Sequence, residues 1–359
     1  MSYIDPRQKV LWHLDKLSQI KSFGTTLAPV NVEIDLSNRC SHGCAWCHFA
    51  HTHTRGPWAG KAQQPEGMED CGDLMGFDLA NSIIRQLVDA GVQSVTWSGG
   101  GEPTLHPKFD TIVEHAALAG LQQGLYTHGG HIDQDRAALL RRLMTFIYVS
   151  LDECDEVKFK QSKGVDRYWA VSHGIDNLVA ANGKAAIGIG FLLHPGNVED
   201  IDDMVALGKI KGVDYVQFRP VIDYDQDTPG ALVGDTDRYL WVNYAMGLLR
   251  KCANDPFVVA DLDRFRMYRD WTGHGYSTCN WAALQTVITP NGKVWRCVNR
   301  RGHSGALLGD LTEDAFVDIW ARSGGSCAVG GDCRLMCRGH LSNLTLDAIM
   351  TEPAHCNFV

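Results

Sequence analysis

Short apolar, strand-like segments and amphipathic helical segments alternate along most of this chain, and that alternation limits the possible fold more than any other feature. The predicted strands cover residues 31–36, 94–98, 124–127, 146–151, 186–193 and 215–220. The predicted helices cover residues 79–90, 109–119, 134–144, 168–181 and 198–211, and a further helix covers 237–252. Because strands that alternate with helices form a parallel sheet, the pattern predicts an α/β fold, an open partial (β/α)6 TIM-like barrel.

The extent of this pattern predicts three parts of the chain. We expect residues 1–29 to form an N-terminal helical segment, with Pro6 near the start of one short helix, and residues 30–253 to form the barrel. Residues 254–359 are left for a small C-terminal α+β extension. In barrels of this type the functional groups gather at the C-terminal ends of the strands. The residues directly after each strand are therefore the candidates for a site.

Composition and charge bound the class of protein. The chain has 359 residues, 45% of them hydrophobic, which is enough to bury a large core. Its net charge of -9 argues against a broad electrostatic hold on nucleic acid, because phosphate binding draws on clustered Lys and Arg. We find no signal peptide and no apolar run that could span a membrane. Twelve cysteines, most of them at metal-like spacings, fit a reducing compartment, so we expect a cytoplasmic location.

The first cysteine group directly follows the strand predicted at 31–36. Cys40, Cys44 and Cys47 have the spacing C-x3-C-x2-C and supply three thiolates. Thiolates are the usual protein ligands of iron–sulfur clusters, and three of them leave one iron of a four-iron cluster open to a small molecule with nitrogen and oxygen donors. The alternative is a zinc site, which needs a fourth ligand. Nearby histidines could supply it: His42, His48, His51 and His53.

A glycine-rich turn follows the strand predicted at 94–98. It reads Gly99, Gly100, Gly101, Glu102, Pro103. Glycines at the end of a strand let the backbone approach a ligand closely, and they expose N–H and C=O groups that could hold an amino acid moiety. A simple structural turn is the alternative for the glycines alone. The combination with the cysteine triplet favours a cofactor site.

Together these motifs resemble the signature of the radical S-adenosylmethionine (SAM) superfamily, in which an aromatic residue, here Trp46, precedes the third cysteine. The resemblance implies a 4Fe–4S cluster with an open iron that binds SAM, and a turn at 99–103 that contacts the methionyl amino group. It also implies reductive cleavage of SAM to a 5'-deoxyadenosyl radical, which abstracts a hydrogen atom from an unactivated C–H bond. The electron would come from a donor such as flavodoxin or ferredoxin.

Residues after later strands extend the resemblance. Thr127 and His128 resemble the family's Thr-Asn-Gly turn, with His128 where Asn is usual. Ser150 and Asp152 resemble the segment that meets the ribose and carboxylate of SAM, and their alternation points both to the same side of the strand. Arg219 could clamp a carboxylate with two N–H groups, although a surface salt bridge is the alternative. We therefore predict that all five residues bind the cofactor.

Cys154 directly follows the Ser-Leu-Asp-Glu segment that ends the fourth predicted strand. At that position it lies at the reactive end of the barrel and could donate a hydrogen atom to a product radical. A core or surface thiol without a catalytic role is the alternative.

The C-terminal extension carries a second group of cysteines: Cys279, Cys297, Cys327, Cys333, Cys337 and Cys356. A hairpin with Asn291 and Gly292 at its turn would hold Cys279 and Cys297 at adjacent strand ends. The spacing resembles the SPASM extension, which binds auxiliary iron–sulfur clusters, but Gly324 stands where that family has a further cysteine. Six thiolates allow one complete cluster of the shorter twitch type, or two clusters with three cysteines each. A structural zinc ion is the alternative.

The substrate is the least constrained part of the interpretation. Peptide-modifying members of the family commonly carry an N-terminal leader-recognition domain, and the cluster motif here begins at residue 40. We therefore expect a small polar molecule such as a sugar, aminocyclitol or nucleoside, held by His128 and Arg219. The net reaction would be a dehydrogenation, epimerisation or rearrangement, in the oxidoreductase or isomerase class. The alternatives are a protein or peptide side chain, a hypermodified DNA base, and a non-catalytic metal-binding interaction protein.

Overall fold

The computed structural model describes residues 6–62, 66–221, 237–270, 273–330, 333 and 337–351. Two helices, α1 (Pro6–Val10) and α2 (Leu14–Phe23), precede the barrel where the sequence predicted one. Six strands then follow in order: β1 (Asn31–Asp35), β2 (Ser94–Ser98), β3 (Gln122–Thr127), β4 (Phe146–Ser150), β5 (Ala186–Leu193) and β6 (Tyr215–Pro220). Each pairs in parallel with the next, so the six predicted strands and the partial TIM-like barrel are confirmed.

Helices return the chain between the strands. They are α3 (Phe77–Asp89), α4 (Phe109–Leu118), α5 (Gln134–Leu143), α6 (Glu156–Lys163), α7 (Tyr168–Ala180) and α8 (Ile201–Lys211), and α9 (Arg238–Lys251) follows the last barrel strand. All were predicted except α6, whose few apolar residues give a weak helical period. Its ends nevertheless carry the usual signals. The side chain of Asp155 accepts hydrogen bonds from two backbone N–H groups of the first turn, and Gly164 ends the helix with a φ of 65°.

The two faces of the barrel sheet differ in chemistry because alternate residues of a strand point to opposite sides. Val32, Ile34, Val95 and Trp97 belong to the main hydrophobic core with the surrounding helices. The opposite face surrounds a cavity of about 750 Å³ inside the barrel. Polar and aromatic side chains line it, among them Asn31, Thr96, Tyr126, Tyr148, Tyr215, Gln217 and Arg219. The barrel interior, which we call the lumen, is therefore suited to a polar ligand.

Two glycines of β5 make room for the aromatic side chains of the lumen. A Cβ atom on Gly188 would overlap the ring of Tyr215, and one on Gly190 would overlap the ring of Tyr148. The tyrosines therefore lie flat across the β5 backbone, and the space in front of them stays open.

The C-terminal extension continues the barrel sheet. Its elements are β7 (Val258–Ala260), α10 (Leu262–Arg269), β8 (Thr278–Cys279), β9 (Gln285–Ile288), β10 (Lys293–Trp295), β11 (Leu307–Asp310), α11 (Phe316–Ser323), β12 (Cys327–Ala328) and α12 (His340–Met350). β7 pairs in parallel with β6, beyond the predicted boundary at residue 253, and β9 pairs in parallel with β1. The predicted hairpin is confirmed as β9 and β10.

Side-chain packing joins the two ends of the chain. Val10, Leu17 and Ile20 of the N-terminal helices share a hydrophobic cluster with Leu284 and Leu346 of the extension. Within the described ranges, every helix is too short or too polar to cross a lipid bilayer.

Candidate active site

The loop between β1 and α3 carries Cys40, Cys44 and Cys47, and we call it the cluster loop. Backbone hydrogen bonds hold it from both sides. The Cys40 N–H donates to the Arg55 carbonyl over 3.1 Å, and the Gly43 N–H donates to the carbonyl of Lys163, the last residue of α6, over 2.8 Å. The loop is therefore pinned to the barrel by the helix that the sequence did not predict.

The three thiols share one half-buried space. Burial raises the pKa of Cys47 to about 12, and the neighbouring Cys44 adds to that shift. Burial also raises the pKa of Cys40, with further contributions from Cys44 and Cys47. Thiols that repel one another's charge in this way need a metal centre to become thiolates together. The donor set thus fits a cluster bound by three cysteines.

The glycine-rich turn packs directly against the cluster loop. The Gly101 N–H donates to the Ser37 carbonyl over 3.1 Å, and the Glu102 N–H donates to the Arg39 carbonyl over 2.8 Å. A Cβ atom on Gly100 would overlap the Asn38 side chain, and one on Gly101 would overlap the Arg39 carbonyl. The sequence predicted glycines that admit a ligand. In the structure, Gly100 and Gly101 also admit the cluster loop itself.

The buried carboxylate of Glu102 ties the ends of two strands together. It accepts hydrogen bonds from the Thr104 and Thr127 hydroxyls, each over 2.6 Å, and from the His128 N–H over 2.8 Å. Burial opposes ionisation, yet His128 and these donors hold the pKa of Glu102 below its usual value. Pro103 follows as the first residue of a short turn that Glu102 caps. Glu102 therefore sets the position of Thr127 and His128.

A group of histidines lies between the β3 turn and the cluster loop. The rings of His42 and His128 stack with centroids 3.9 Å apart, and the Ser41 hydroxyl lies 3.1 Å from ring nitrogens of both His128 and His131. Burial lowers the pKa of His128 to about 4, although Glu102 opposes the shift, so this ring is neutral at neutral pH. The sequence indicates His42 only as an alternative ligand for zinc. Its contact with His128 joins chain segments far apart in sequence.

Ser150 and Asp152 lie together, as their alternation predicted. The Ser150 hydroxyl donates to Asp152 Oδ2 over 2.6 Å, and Lys163 forms a fully buried ion pair with the same oxygen. Asp152 adopts a φ of 62°, which is uncommon for a residue with a side chain. The Leu192 N–H donates to its other oxygen over 2.8 Å. This conformation is therefore held by contacts from β5 and α6.

Lys163 is a site residue that the sequence indicates only as a weaker candidate than Arg219 for clamping a carboxylate, outside the predicted site. Its Nζ lies 5.1 Å from the centroid of the Trp46 ring, a cation–π contact that brings the aromatic residue of the cysteine motif to Asp152. Burial lowers the tendency of Lys163 to hold its charge, but Asp152 and Cys44 reverse this and raise its pKa. The position of Lys163 at the end of α6 is the signal that could have identified it.

Arg219 points into the lumen. Its Nη2 donates to the Tyr148 hydroxyl over 2.5 Å, and its guanidinium lies 4.8 Å from the centroid of the Tyr148 ring. The surface salt bridge considered from the sequence is wrong for the described residues, because Arg219 lines the cavity and takes part in none of their ion pairs.

Cys154 lies half-buried after β4. Its thiol is 3.7 Å from the Asp200 carbonyl, and burial raises its pKa to about 12. Cys154 is not among the described residues that line the lumen cavity. A role as hydrogen donor stays a prediction.

The cysteines of the extension come together from separate elements. Cys279 of β8 lies directly opposite Cys327 of β12, a neighbour that the hairpin pattern did not predict. Cys337 and Cys327 act electrostatically on both Cys279 and Cys297, and Cys333 acts on Cys337. These four half-buried thiols, with Cys333 beside them, fit one complete cluster. Cys356 lies outside the described residues.

The predicted alternative of zinc can be compared with this geometry. In the ranges given above, no three or more His, Cys, Asp or Glu side chains are close enough together to hold a single metal ion. A four-iron cluster makes no such demand, because each thiolate binds a different iron. The missing cysteine at Gly324 also has a structural reason, since a Cβ atom there would meet Trp320.

A buried charge network joins the barrel to the extension. Arg301 pairs with Glu33 and, over 2.8 Å, with Asp35, and Arg338 pairs with Glu33 as well. At one end of the network, Arg338 directly follows Cys337. At the other end, the Gly100 backbone forms a hydrogen bond with the Asp35 carboxylate. The network thus spans the space between the auxiliary cysteines and the glycine-rich turn.

Comparisons with known proteins agree with this site. Residues 34–208 match the family described as the radical SAM superfamily. A probable GTP 3',8-cyclase of Methanosarcina mazei is 30% identical over 206 residues, which are 55% of this chain and 56% of the cyclase. A PqqA peptide cyclase of Xanthomonas campestris pv. campestris is 23% identical over 305 residues, which are 82% of this chain and 74% of that enzyme.

Solved structures share the fold. SuiB of Streptococcus suis bound to SAM has a TM-score of 0.64 at 16% identity, covering 89% of this chain and 72% of SuiB. The native anSMEcpe structure with bound SAM has a TM-score of 0.60 at 15% identity, covering 81% of this chain and 80% of that one. With their three-cysteine loop and glycine-rich turn, residues 34–208 of this chain belong to the radical SAM superfamily, and the fold beyond them is shared with SuiB and anSMEcpe.

Proposed function

We propose that this radical SAM enzyme modifies a side chain of a polypeptide that enters the lumen. The observation that carries the proposal is the length of the match to the PqqA peptide cyclase, which covers 82% of this chain. That extent takes in residues beyond the radical SAM domain at 34–208. The fold is also that of SuiB, whose structure has been solved with its precursor peptide SuiA.

We assign the cofactors to the residues that surround the cluster loop. The 4Fe–4S cluster would be held by Cys40, Cys44 and Cys47. SAM would lie over the strand ends, against the backbone of residues 99–103 and the side chains of Ser150 and Asp152. When bound, the two cofactors supply a 5'-deoxyadenosyl radical that abstracts a hydrogen atom from the substrate. The auxiliary cluster would be held by the cysteines of β8, β12 and the segments that contain Cys297 and Cys337.

The chain's own task at this site is to hold groups still and to limit water. Glu102 accepts hydrogen bonds from Thr127 and His128 and so fixes both at the end of β3. The ring of His128 stacks on that of His42, which belongs to the cluster loop. Lys163 balances the buried charge of Asp152. A buried, hydrogen-bonded set of this kind keeps its geometry when a ligand binds. A cofactor would therefore meet a preorganised site.

The substrate expected from the sequence was a small polar molecule, and the comparisons favour the polypeptide alternative instead. A lumen of about 750 Å³ is large enough for one or two side chains. The predicted electron donor, flavodoxin or ferredoxin, and the oxidoreductase or isomerase class stay predictions.

A small molecule is the second candidate, and one observation favours it. The relative with the higher identity, at 30%, is a probable GTP 3',8-cyclase, although that match covers 55% of this chain. A nucleotide substrate would carry negative charge, which suits the arginines of the lumen.

The two candidates can be separated by the protease sensitivity of the substrate. Reconstituted enzyme is given SAM, a reductant and a cell extract below about 10 kDa, a cut-off that admits peptides and metabolites alike. We expect 5'-deoxyadenosine to form faster with the extract than without it, and the increase to disappear after the extract is digested with a nonspecific protease. An increase that survives digestion would contradict the polypeptide substrate and favour the nucleotide.

A matched pair of glycine variants tests the proposed role of the glycine-rich turn. We expect Gly101→Ala to weaken SAM binding about tenfold or more and to cost about 1–3 kcal/mol of unfolding free energy, because the new Cβ overlaps the Arg39 carbonyl and the turn must move. Equilibrium dialysis with SAM and urea unfolding measure the two effects. The control is Gly247→Ala on α9, where a Cβ has open space and the stability should be unchanged or slightly higher. Equal SAM affinity in both variants would refute the assignment.

A further inference from the structure

Arg219 is a half-buried positive charge that forms no ion pair with a described carboxylate, and Asp152, whose ion pair is with Lys163, acts on it only electrostatically. Its hydrogen bond to the Tyr148 hydroxyl is 2.5 Å long, and its Nε is buried without a hydrogen-bond acceptor. A guanidinium has five N–H donors, so one bond to a tyrosine leaves most of them for another group. Buried charges in proteins are normally paired, because removing an ion from water is costly.

Three other cations in the described part of the barrel follow that rule. Lys163 pairs with Asp152, Arg301 pairs with Glu33 and Asp35, and Arg338 pairs with Glu33. These ion pairs contain three cations and three carboxylates. Arg219 is the fourth cation, and it lies close enough to Arg338 for the two positive charges to repel each other. The interior therefore has a local excess of positive charge.

The walls of the cavity have the same bias. The charged side chains that line its described part are Lys9, Arg219, Arg264 and Arg338 on the positive side and Asp261 on the negative side. Asp261 is already used at the start of α10, where it accepts a hydrogen bond of 3.0 Å from the Asp263 N–H. The lining of the lumen is positive although the whole chain has a net charge of -9. A concave site focuses the electrostatic potential of the charges that line it, so the lumen attracts anions.

The Arg219 side chain points below the end of the barrel where SAM is assigned, although the charge of Asp152 still reaches it. Ser150 ends β4, and Tyr148 is the preceding residue of β4 on the same inner face. By bonding to Tyr148, the Arg219 side chain reaches down into the lumen, one inward position below Ser150. The sequence predicted that Arg219 clamps the cofactor, and its orientation points to a different ligand.

We propose that Arg219 is an anion-binding residue for the substrate, and that the group which enters the lumen carries a carboxylate or a phosphate. This inference rests on the proposed function, because it describes the substrate of the same site. An acidic side chain of a polypeptide would supply a carboxylate, and a nucleotide would supply a phosphate. Each presents two oxygens that can accept paired hydrogen bonds from the N–H donors of a guanidinium.

Small anions of each kind are the probes. Isothermal titration of the SAM-loaded, reconstituted enzyme is carried out with succinate, with inorganic phosphate and with succinamide, which has the size of succinate but no charge. We expect succinate to bind at least tenfold more tightly than succinamide if the natural group is a carboxylate, and phosphate to bind more tightly than both if it is a phosphate. Equal binding of succinate and succinamide, with no binding of phosphate, would overturn the proposal.

Variants at position 219 assign the anion to this residue. We expect Arg219→Gln to lose at least tenfold in affinity for the preferred anion and Arg219→Lys, which keeps the charge, to lose less. Arg142→Gln is the control, because Arg142 lies on the exposed surface of α5 with Glu114. Circular dichroism checks that each variant is folded. If Arg219→Gln does not fold, the affinity of Arg219→Lys for the anion tests the assignment.

Two further results distinguish the competing assignments. A tenfold loss of SAM affinity in Arg219→Gln, with unchanged affinity for the anion, would return Arg219 to the cofactor and overturn the proposal. The proposed radical function itself is judged separately, by whether the native enzyme cleaves SAM to 5'-deoxyadenosine. If the native enzyme does not cleave SAM, the anion titration still tests whether Arg219 binds an anion.

Discussion

Replacing Cys40, Cys44 and Cys47 together by Ala will remove about four iron atoms per chain and all SAM cleavage, while the iron of the extension remains. The reason is structural separation. The triplet lies on the loop after β1, whereas the other thiols are brought together by β8, β12 and the segments around Cys297 and Cys337. Iron analysis and electron paramagnetic resonance of the reconstituted variant measure the loss.

The matched control for this variant is Cys252→Ala, because Cys252 caps α9 away from both cysteine groups and its thiol contacts Asp202. That variant should keep the full iron content and activity. Loss of all iron from a folded triple variant would contradict two independent cluster sites.

Replacing Glu33 by Gln will cost about 3–5 kcal/mol of unfolding free energy, because the change removes the carboxylate that two arginines share. Arg301 is only 1% exposed and keeps Asp35 as its remaining partner, while Arg338 loses its ion pair. Urea unfolding of the apoprotein measures the change without a contribution from cluster binding. We expect the extension to loosen from the barrel, since both arginines belong to it.

The control for Glu33 is an exposed pair of the same chemistry. Lys160 and Asp166 form a surface ion pair with side chains 63% and 68% exposed, so Asp166→Asn should cost between about 0 and 1 kcal/mol. Equal effects of the two substitutions would show that the buried network does not stabilise the fold.

The network also predicts how stability depends on pH. Burial opposes ionisation of Glu33, but Arg338 and Arg301 hold its pKa below the usual value. A carboxyl group with a depressed folded-state pKa stabilises the protein fully above its unfolded-state pKa, and the contribution is lost as the pH falls through the folded value. The stability difference between the native protein and Glu33→Gln should therefore shrink on acidification. A difference that stays constant down to pH 3 would contradict this account.

The sequence by itself determined the barrel and the location of the first cofactor motif. Strand and helix periods are local, so residues such as Val32, Ile34, Val95 and Trp97 predict their strands without knowledge of distant residues. The spacing of Cys40, Cys44 and Cys47 is also local, and so is the Asn291–Gly292 turn of the β9–β10 hairpin. These patterns need only a few neighbouring positions, and the strands and the hairpin that they predict are found in the fold.

Only the tertiary structure decided which distant residues meet. Cys327 lies opposite Cys279 because a two-stranded ladder joins two segments that are far apart in sequence. Lys163 reaches Asp152 and Trp46 through the position of α6. Arg219 turns to Tyr148 because Gly190 leaves room for that ring. Each contact depends on how strands and helices pack in three dimensions, and no period or spacing along the chain encodes that packing.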